Sequence, residues 1–158
     1  MSEALLDLML DAARAASAAI MEVYLSDFSH VSKSDGSPVT VADHRAETLI
    51  LAKLESTGLP VLAEESVAAG VVPTLGERFF VVDPLDGTKE FLKRNGEFTV
   101  NIALVEHGKP VLGVVLAPAT GATFVGGPDG AFEITNRDEH LALHTVAEGP
   151  MKVVASRS

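Results

Sequence analysis

The chain has 158 residues, 47% of them hydrophobic, and 22 acidic against 12 basic residues give a formal net charge of −10. That length suits one domain with a sizeable core, and the charge argues against a nucleic-acid polymer or an anionic membrane surface as partner, so a phosphate-bearing ligand would need a cation beside it. Cysteine is absent, which excludes disulfides, thiolate metal sites and a cysteine nucleophile and fits a reducing cytosol; with no basic-then-apolar leader and no apolar run near the roughly 20 residues of a membrane span, a soluble, unexported protein is expected.

From Glu3 to about Leu25 the apolar residues Leu5, Leu8, Met9, Ala12, Ala16, Ile20 and Val23 recur at helical spacing, with Ser2 placed to cap the start. The polar stretch "FSHVSKSDGSPV" (28–39) holds a Ser-Asp-Gly-Ser-Pro cluster and predicts a loop or loose hairpin. A second helix follows. Thr40 and Asp43 make a capping-box-like start, Ala42, Ala46, Leu49, Ile50 and Leu54 form its buried stripe, and Gly58 stops it. Strands are expected at "LPVLA" (59–63) and "RFFVV" (78–82), both running straight into acidic residues and joined by a loop rich in alanine, glycine and proline.

The later chain reads as antiparallel hairpins. Between 97 and 127 two valine-rich runs flank His107-Gly108-Lys109, and a third short run follows the turn at 119–121. Residues 135–150 are polar and carry no clear pattern, and "KVVASRS" (152–158) predicts one more strand. There is no internal repeat and no low-complexity tract. The class is α+β, helices first.

The stretch "VVDPLDGTKEF" (81–91) concentrates the chemistry. Asp83 and Asp86 flank a Pro84-Leu85 step at the end of a buried strand, so one turn can aim both carboxylates at a single point. If the strand that ends at Glu64 and Glu65 is a neighbour in the sheet, three or four carboxylates converge. Hard oxygen ligands without histidine or cysteine select magnesium or manganese over zinc, and magnesium keeps waters and takes substrate phosphate oxygens as further ligands. Gly87 and Thr88 open a short helix-like segment whose backbone N–H groups suit an anion.

Each feature also has a plain structural reading. Asp-Pro and Asp-Gly mark turns in any protein, Glu64 and Glu65 could be a solvated strand end, Asp43 a capping-box member and Thr88 a helix cap. Their joint occurrence favours the site. Lys89, Lys93 and Arg94 form the basic cluster beside it, either steering phosphate or forming a solvated helix face. His140 and His144 have i, i+4 spacing, but Leu141 and Leu143 between them indicate strand alternation rather than a zinc site.

"DPLDGT" preceded by apolar residues, "EES" about twenty residues upstream and "KSDGSPVTVAD" before that resemble the magnesium-dependent, lithium-sensitive phosphatases of the inositol monophosphatase superfamily. The string "VVDPLDGTKEFLKRNGEFTVNIALVEHGKPVLGVVLAP" is most similar to the CysQ-type 3′(2′),5′-bisphosphate nucleotidases of sulfur metabolism. The resemblance implies the N-terminal lobe of the inositol monophosphatase and sugar phosphatase fold, with two long helices on a mainly antiparallel sheet. It also implies hydrolysis of the 3′-phosphate of adenosine 3′,5′-bisphosphate to AMP, with inositol phosphates or fructose 1,6-bisphosphate as alternative substrates.

Carried over by position, Glu64, Asp83 and the Leu85 carbonyl form a first Mg2+ site, and Asp83 and Asp86 contribute to a second. Asp43 and Thr88 orient the attacking water, with Glu64 in the catalytic set; Gly87 and Thr88 receive phosphate; and Lys33 matches a lysine near the active site, although a surface-loop lysine is an equally fair reading. In-line attack by a metal-activated water is implied, with metals about 3.5 to 4 Å apart and no covalent phosphoenzyme. The resemblance implies a cytoplasmic location, or a peripheral one at the inner membrane.

One departure stands out. Family members continue for roughly another domain, whose Trp-Asp motif completes the second metal site, whereas this sequence has no tryptophan and ends at Ser158. The expectation is a metal-binding lobe over 1–150, with 151–158 as the first strand of a second lobe. A catalytically incomplete metal-binding fragment is the alternative to an active phosphatase, and apolar surface left exposed would favour a homo-oligomer.

Overall fold

A computed structural model describes residues 2–26, 38–135, 139–145 and 149. Lys33, most of the loop expected at 28–39 and the strand expected at 152–158 lie outside the described residues.

Helix α1 (Ser2–Leu25) buries Met9, Ala12, Ala13, Ala16, Ile20 and Val23 along one stripe, as the spacing predicts, and takes in Ser2 rather than starting after it. Helix α2 (Pro38–Leu54) packs against α1. It begins at Pro38, so Thr40 lies within its first turn instead of capping it. Proline fixes a helical φ and lacks the N–H that a first turn leaves unpaired, so it outcompetes the downstream Thr as a starting point. Ala42, Ala46, Ile50 and Leu54 are buried as expected, but Leu49 is 38% exposed. The stripe is completed instead by two carboxylates, Asp43 and Glu47. After a 3-10 turn over Glu55–Thr57, Gly58 in the left-handed region (φ 66°) ends the segment where predicted.

Among the described residues seven strands lie in the sheet in chain order: β1 (Val61–Ala63), β2 (Arg78–Asp86), β3 (Thr99–Glu106), β4 (Lys109–Ala117), β5 (Ala122–Gly127), β6 (Gly130–Ile134) and β7 (His140–Leu143). β1 runs parallel to β2, and every later pair is antiparallel. The inner face carries Phe80, Val82, Val100, Ile102, Leu104, Leu112, Val114, Leu116, Val125 and Ile134, all buried in one core with the helices. On the opposite face Val81, Val115, Phe124 and Leu141 are exposed. β6 carries no clear signal in the sequence, whereas β7 falls where Leu141 and Leu143 indicate strand alternation, although all four of its residues are exposed. The described residues also form two short helices, α3 (Glu64–Ala68) and α4 (Thr88–Lys93). Glu64 and Glu65 therefore open a helix rather than end a strand. Among the described residues no helix is long and apolar enough to cross a membrane.

Candidate active site

The parallel β1–β2 ladder pairs Ala63 with Val82, so the next residues, Glu64 at the start of α3 and Asp83 still within β2, lie side by side where that ladder ends. Their carboxyl groups act on each other, the charge of Glu64 being the first of those that raise the Asp83 pKa. β2 continues through the buried Pro84 and Leu85 to Asp86, four residues beyond the expected stretch. Its pairing with β3 shifts between Asp83↔Asn101 and Asp86↔Thr99, so β2 holds one residue more than β3 across that interval. A bulge of this kind re-aims side chains beside functional sites, and here it turns Asp86 to where Asn101 Nδ2 donates to its Oδ2 (3.3 Å).

From the other side α2 presents Asp43, 6% exposed. Burial, then the charges of Glu65, Glu64, Asp83 and Glu47, push its pKa up to about 8. Asp83 is pushed up to about 7 by burial, by the charges of Glu64 and Asp86 and by its hydrogen bond to Glu64, with the Leu85 N–H pulling the other way. Asp43 Oδ1 and Asp83 Oδ1 are buried without a hydrogen-bond partner. Buried polar atoms are almost always satisfied, and crowded carboxylates favour ionisation only when a cation joins them. Two orphaned oxygens among hard oxygen donors fit Mg2+ or Mn2+. Among the described residues, however, no three acidic or histidine side chains are gathered as a ready cation cage, so the expected convergence of three or four carboxylates is present only as neighbouring pairs.

The turn after Asp86 is rigidly placed. Gly87 has φ 94°, and a Cβ there would stand 2.8 Å from the Glu97 carbonyl oxygen and 3.1 Å from Phe98 Cα. Only glycine lets the chain pass so close with that backbone. Thr88 then opens α4, as the sequence indicates, with its side chain exposed. Phe91 and Phe98 pack on each other and on Tyr24 of α1, with ring centroids 4.9 to 5.3 Å apart. Arg94 lies over the Tyr24 ring (5.7 Å) and donates to the Ser26 carbonyl (2.6 Å). Of the basic cluster, then, Arg94 fastens α4 to the end of α1, while Lys89 and Lys93 remain exposed. His140 opens β7 and His144 lies beyond its end, so their spacing does not form a helical pair.

Sequence reasoning missed Glu47 and Asn101. Glu47 Oε2 accepts the Glu65 N–H (2.8 Å), and Oε1 accepts the Ser66 N–H (2.9 Å) and hydroxyl (2.5 Å). The available signal was a glutamate one turn after Asp43 on an otherwise apolar stripe.

This arrangement has known counterparts. The sequence pattern of the inositol monophosphatase family matches residues 1–156. The 3′(2′),5′-bisphosphate nucleotidase CysQ of Shigella flexneri is 51% identical over 124 residues, covering 76% of this chain and 50% of the relative. That of Buchnera aphidicola is 38% identical over 156 residues, covering 96% of this chain and 59% of the relative. Among solved structures, CysQ from Bacteroides thetaiotaomicron superposes with TM-score 0.72 at 38% identity, over 93% of this chain and 53% of that one. An inositol monophosphatase from Zymomonas mobilis gives 0.74 at 30% identity, over 93% and 55% respectively. The chain belongs to the inositol monophosphatase family. Its lobe, two long helices on a mainly antiparallel sheet, is of the fold of those structures, and the chain spans about half the length of the curated relatives it matches.

Proposed function

We propose that this chain carries the metal-binding lobe of a magnesium-dependent phosphatase that hydrolyses the 3′-phosphate of adenosine 3′,5′-bisphosphate to AMP. The observation that carries the proposal is the side-by-side placement of Glu64 and Asp83 just past the last pair of the parallel β1–β2 ladder, with buried Asp43 set against them. Glu64, Asp83 and the Leu85 carbonyl would hold one Mg2+, and Asp83 and Asp86 would contribute to a second. Bound there, magnesium supplies an activated water and stabilises the leaving oxygen.

The protein's own groups do the rest. Asp43 offers the attacking water a buried acceptor oxygen without a protein partner, and the Thr88 hydroxyl at the start of α4 shares that task. Gly87 and Thr88 present backbone N–H groups to the phosphate, with Lys33 as a further phosphate contact. The negative chain admits an anionic substrate only with such cations in place. Support for a nucleotide bisphosphate comes from the CysQ relatives, and the inositol monophosphatases among the structural relatives keep inositol phosphates as the alternative. On this reading residues 1–150 would be the metal-binding lobe and 151–158 would belong to a second one, and the location would be cytoplasmic or peripheral at the inner membrane.

The exposed Val81, Val115, Phe124 and Leu141 on the outer sheet face favour a second reading. A face of that kind is normally covered, so the chain on its own would be a catalytically incomplete metal-binding lobe, or a homo-oligomer that covers the face. Both readings are tested by phosphate release from adenosine 3′,5′-bisphosphate, inositol 1-phosphate and fructose 1,6-bisphosphate, with and without Mg2+ and Li+, alongside sedimentation analysis. Turnover that requires Mg2+, is inhibited by Li+ and prefers the nucleotide supports the phosphatase. A folded chain that binds Mg2+ without turnover supports the incomplete lobe.

A further inference from the structure

We infer that Glu47 is a positioning residue that holds Glu64 toward Asp83, and so sets the cation affinity of the site. This inference rests on the metal-binding role proposed above.

Glu47 is 5% exposed, and its carboxylate is fully engaged by groups 18 and 19 residues further along the chain, the Glu65 N–H, the Ser66 N–H and the Ser66 hydroxyl. The two N–H groups belong to the first turn of α3, where intrahelical acceptors are lacking. Ala63, the residue before that helix, supplies no side-chain cap. A carboxylate from α2 therefore replaces the local cap that the sequence withholds. Glu64 sits between two fixed points: Ala63 is held by its pairing with Val82 on one side, and Glu65 and Ser66 are held by Glu47 on the other. Little backbone freedom is left at Glu64, which directly follows the Ala63–Val82 pair and so stands beside Asp83. Asp43 and Glu47 lie one helical turn apart on the same buried face of α2, so one helix supplies both an acceptor aimed into the site and the brace for an opposing ligand. Residues that orient metal ligands typically govern affinity by 10- to 100-fold.

The test is Mn2+ binding to the full chain, followed by calorimetry and by the electron spin resonance of free Mn2+, with amide hydrogen exchange at Glu65 and Ser66 measured in parallel. Glu47→Gln is expected to bind Mn2+ about 10- to 100-fold more weakly and to exchange the Glu65 and Ser66 amides faster. Glu65→Gln is the charge control: it removes a negative charge that acts on Asp43 but leaves the three Glu47 hydrogen bonds in place, and should weaken binding far less. Should Glu47→Gln fail to fold, Ser66→Ala, which deletes only the hydroxyl contact, is expected to weaken binding roughly two- to tenfold. Wild-type affinity in Glu47→Gln or, where that variant does not fold, in Ser66→Ala overturns the inference, as does an equal loss in Glu65→Gln. If the wild-type chain takes up no Mn2+, the metal-binding role itself fails and the inference falls with it, a result distinct from binding that is indifferent to Glu47.

Discussion

Asp43 on α2 feels the charge of Asp83 in the last part of β2, and each leaves one buried carboxylate oxygen without a hydrogen-bond partner. Burial raises both pKa values, to about 8 at Asp43, where the charges of Glu65, Glu64, Asp83 and Glu47 add to it, and to about 7 at Asp83, where those of Glu64 and Asp86 do. The folded state thus binds protons that the unfolded chain, with ordinary carboxylates, releases.

The sign of the pH dependence follows from that difference. Between the unfolded carboxylate range and about pH 8 the native state holds the extra protons, so stability falls as pH rises through this window. Metal-free protein should therefore melt at higher temperature at about pH 5 than at about pH 8, other groups being equal. Saturating Mg2+ replaces the protons as counter-charge, and its stabilising effect should grow with pH. Scanning calorimetry across this range, with and without Mg2+, checks both trends; a Mg2+ effect that shrinks as pH rises would contradict them.

Asp43→Asn removes one of the crowded charges at nearly constant volume. The metal-free protein should become more stable near pH 8, by about 1 kcal/mol, and lose part of its pH dependence. Any phosphatase activity should fall by about 100-fold or more, the scale of a lost acid-base group. Chemical denaturation and single-turnover phosphate release measure the two effects, and a variant that is destabilised and still active would remove Asp43 from the site.

Gly87→Ala places a methyl group against the Glu97 carbonyl and on a backbone with φ 94°. Destabilisation of about 1 to 3 kcal/mol is expected, together with loosening of the Tyr24, Phe91 and Phe98 cluster. Urea unfolding gives the stability change and aromatic proton spectra report the cluster. An unchanged midpoint would show that the turn can shift without cost.

Much of this arrangement was legible in the residues. The 3.6-residue spacing gave α1 almost to its ends, Gly58 marked the end of the second helical segment, and the greasy runs before Glu64 and Asp83 gave the two strands whose ends meet. What stayed hidden depends on tertiary partners. The brace from Glu47 to Ser66 links positions 19 residues apart, and no local pattern specifies such a bond. Pro38 and Thr40 offered competing helix starts that capping rules could not settle, and the alternation of Leu141 and Leu143 pointed to β7 without giving its bounds, since every residue there is exposed. The bulge that turns Asp86 toward Asn101 is equally invisible without the β3 register.

The most direct test of the central claim is a calorimetric titration of the metal-free 158-residue chain with Mg2+, set against Asp83→Asn. Asp83 belongs to both proposed cation sites, so saturable binding by the wild type and a loss of about 100-fold or more in the variant is predicted, with the variant's metal-free melting temperature no lower than that of the wild type. Equal binding by the two proteins, or no saturable binding by a folded wild-type chain, would contradict a cation held by Glu64, Asp83 and Leu85.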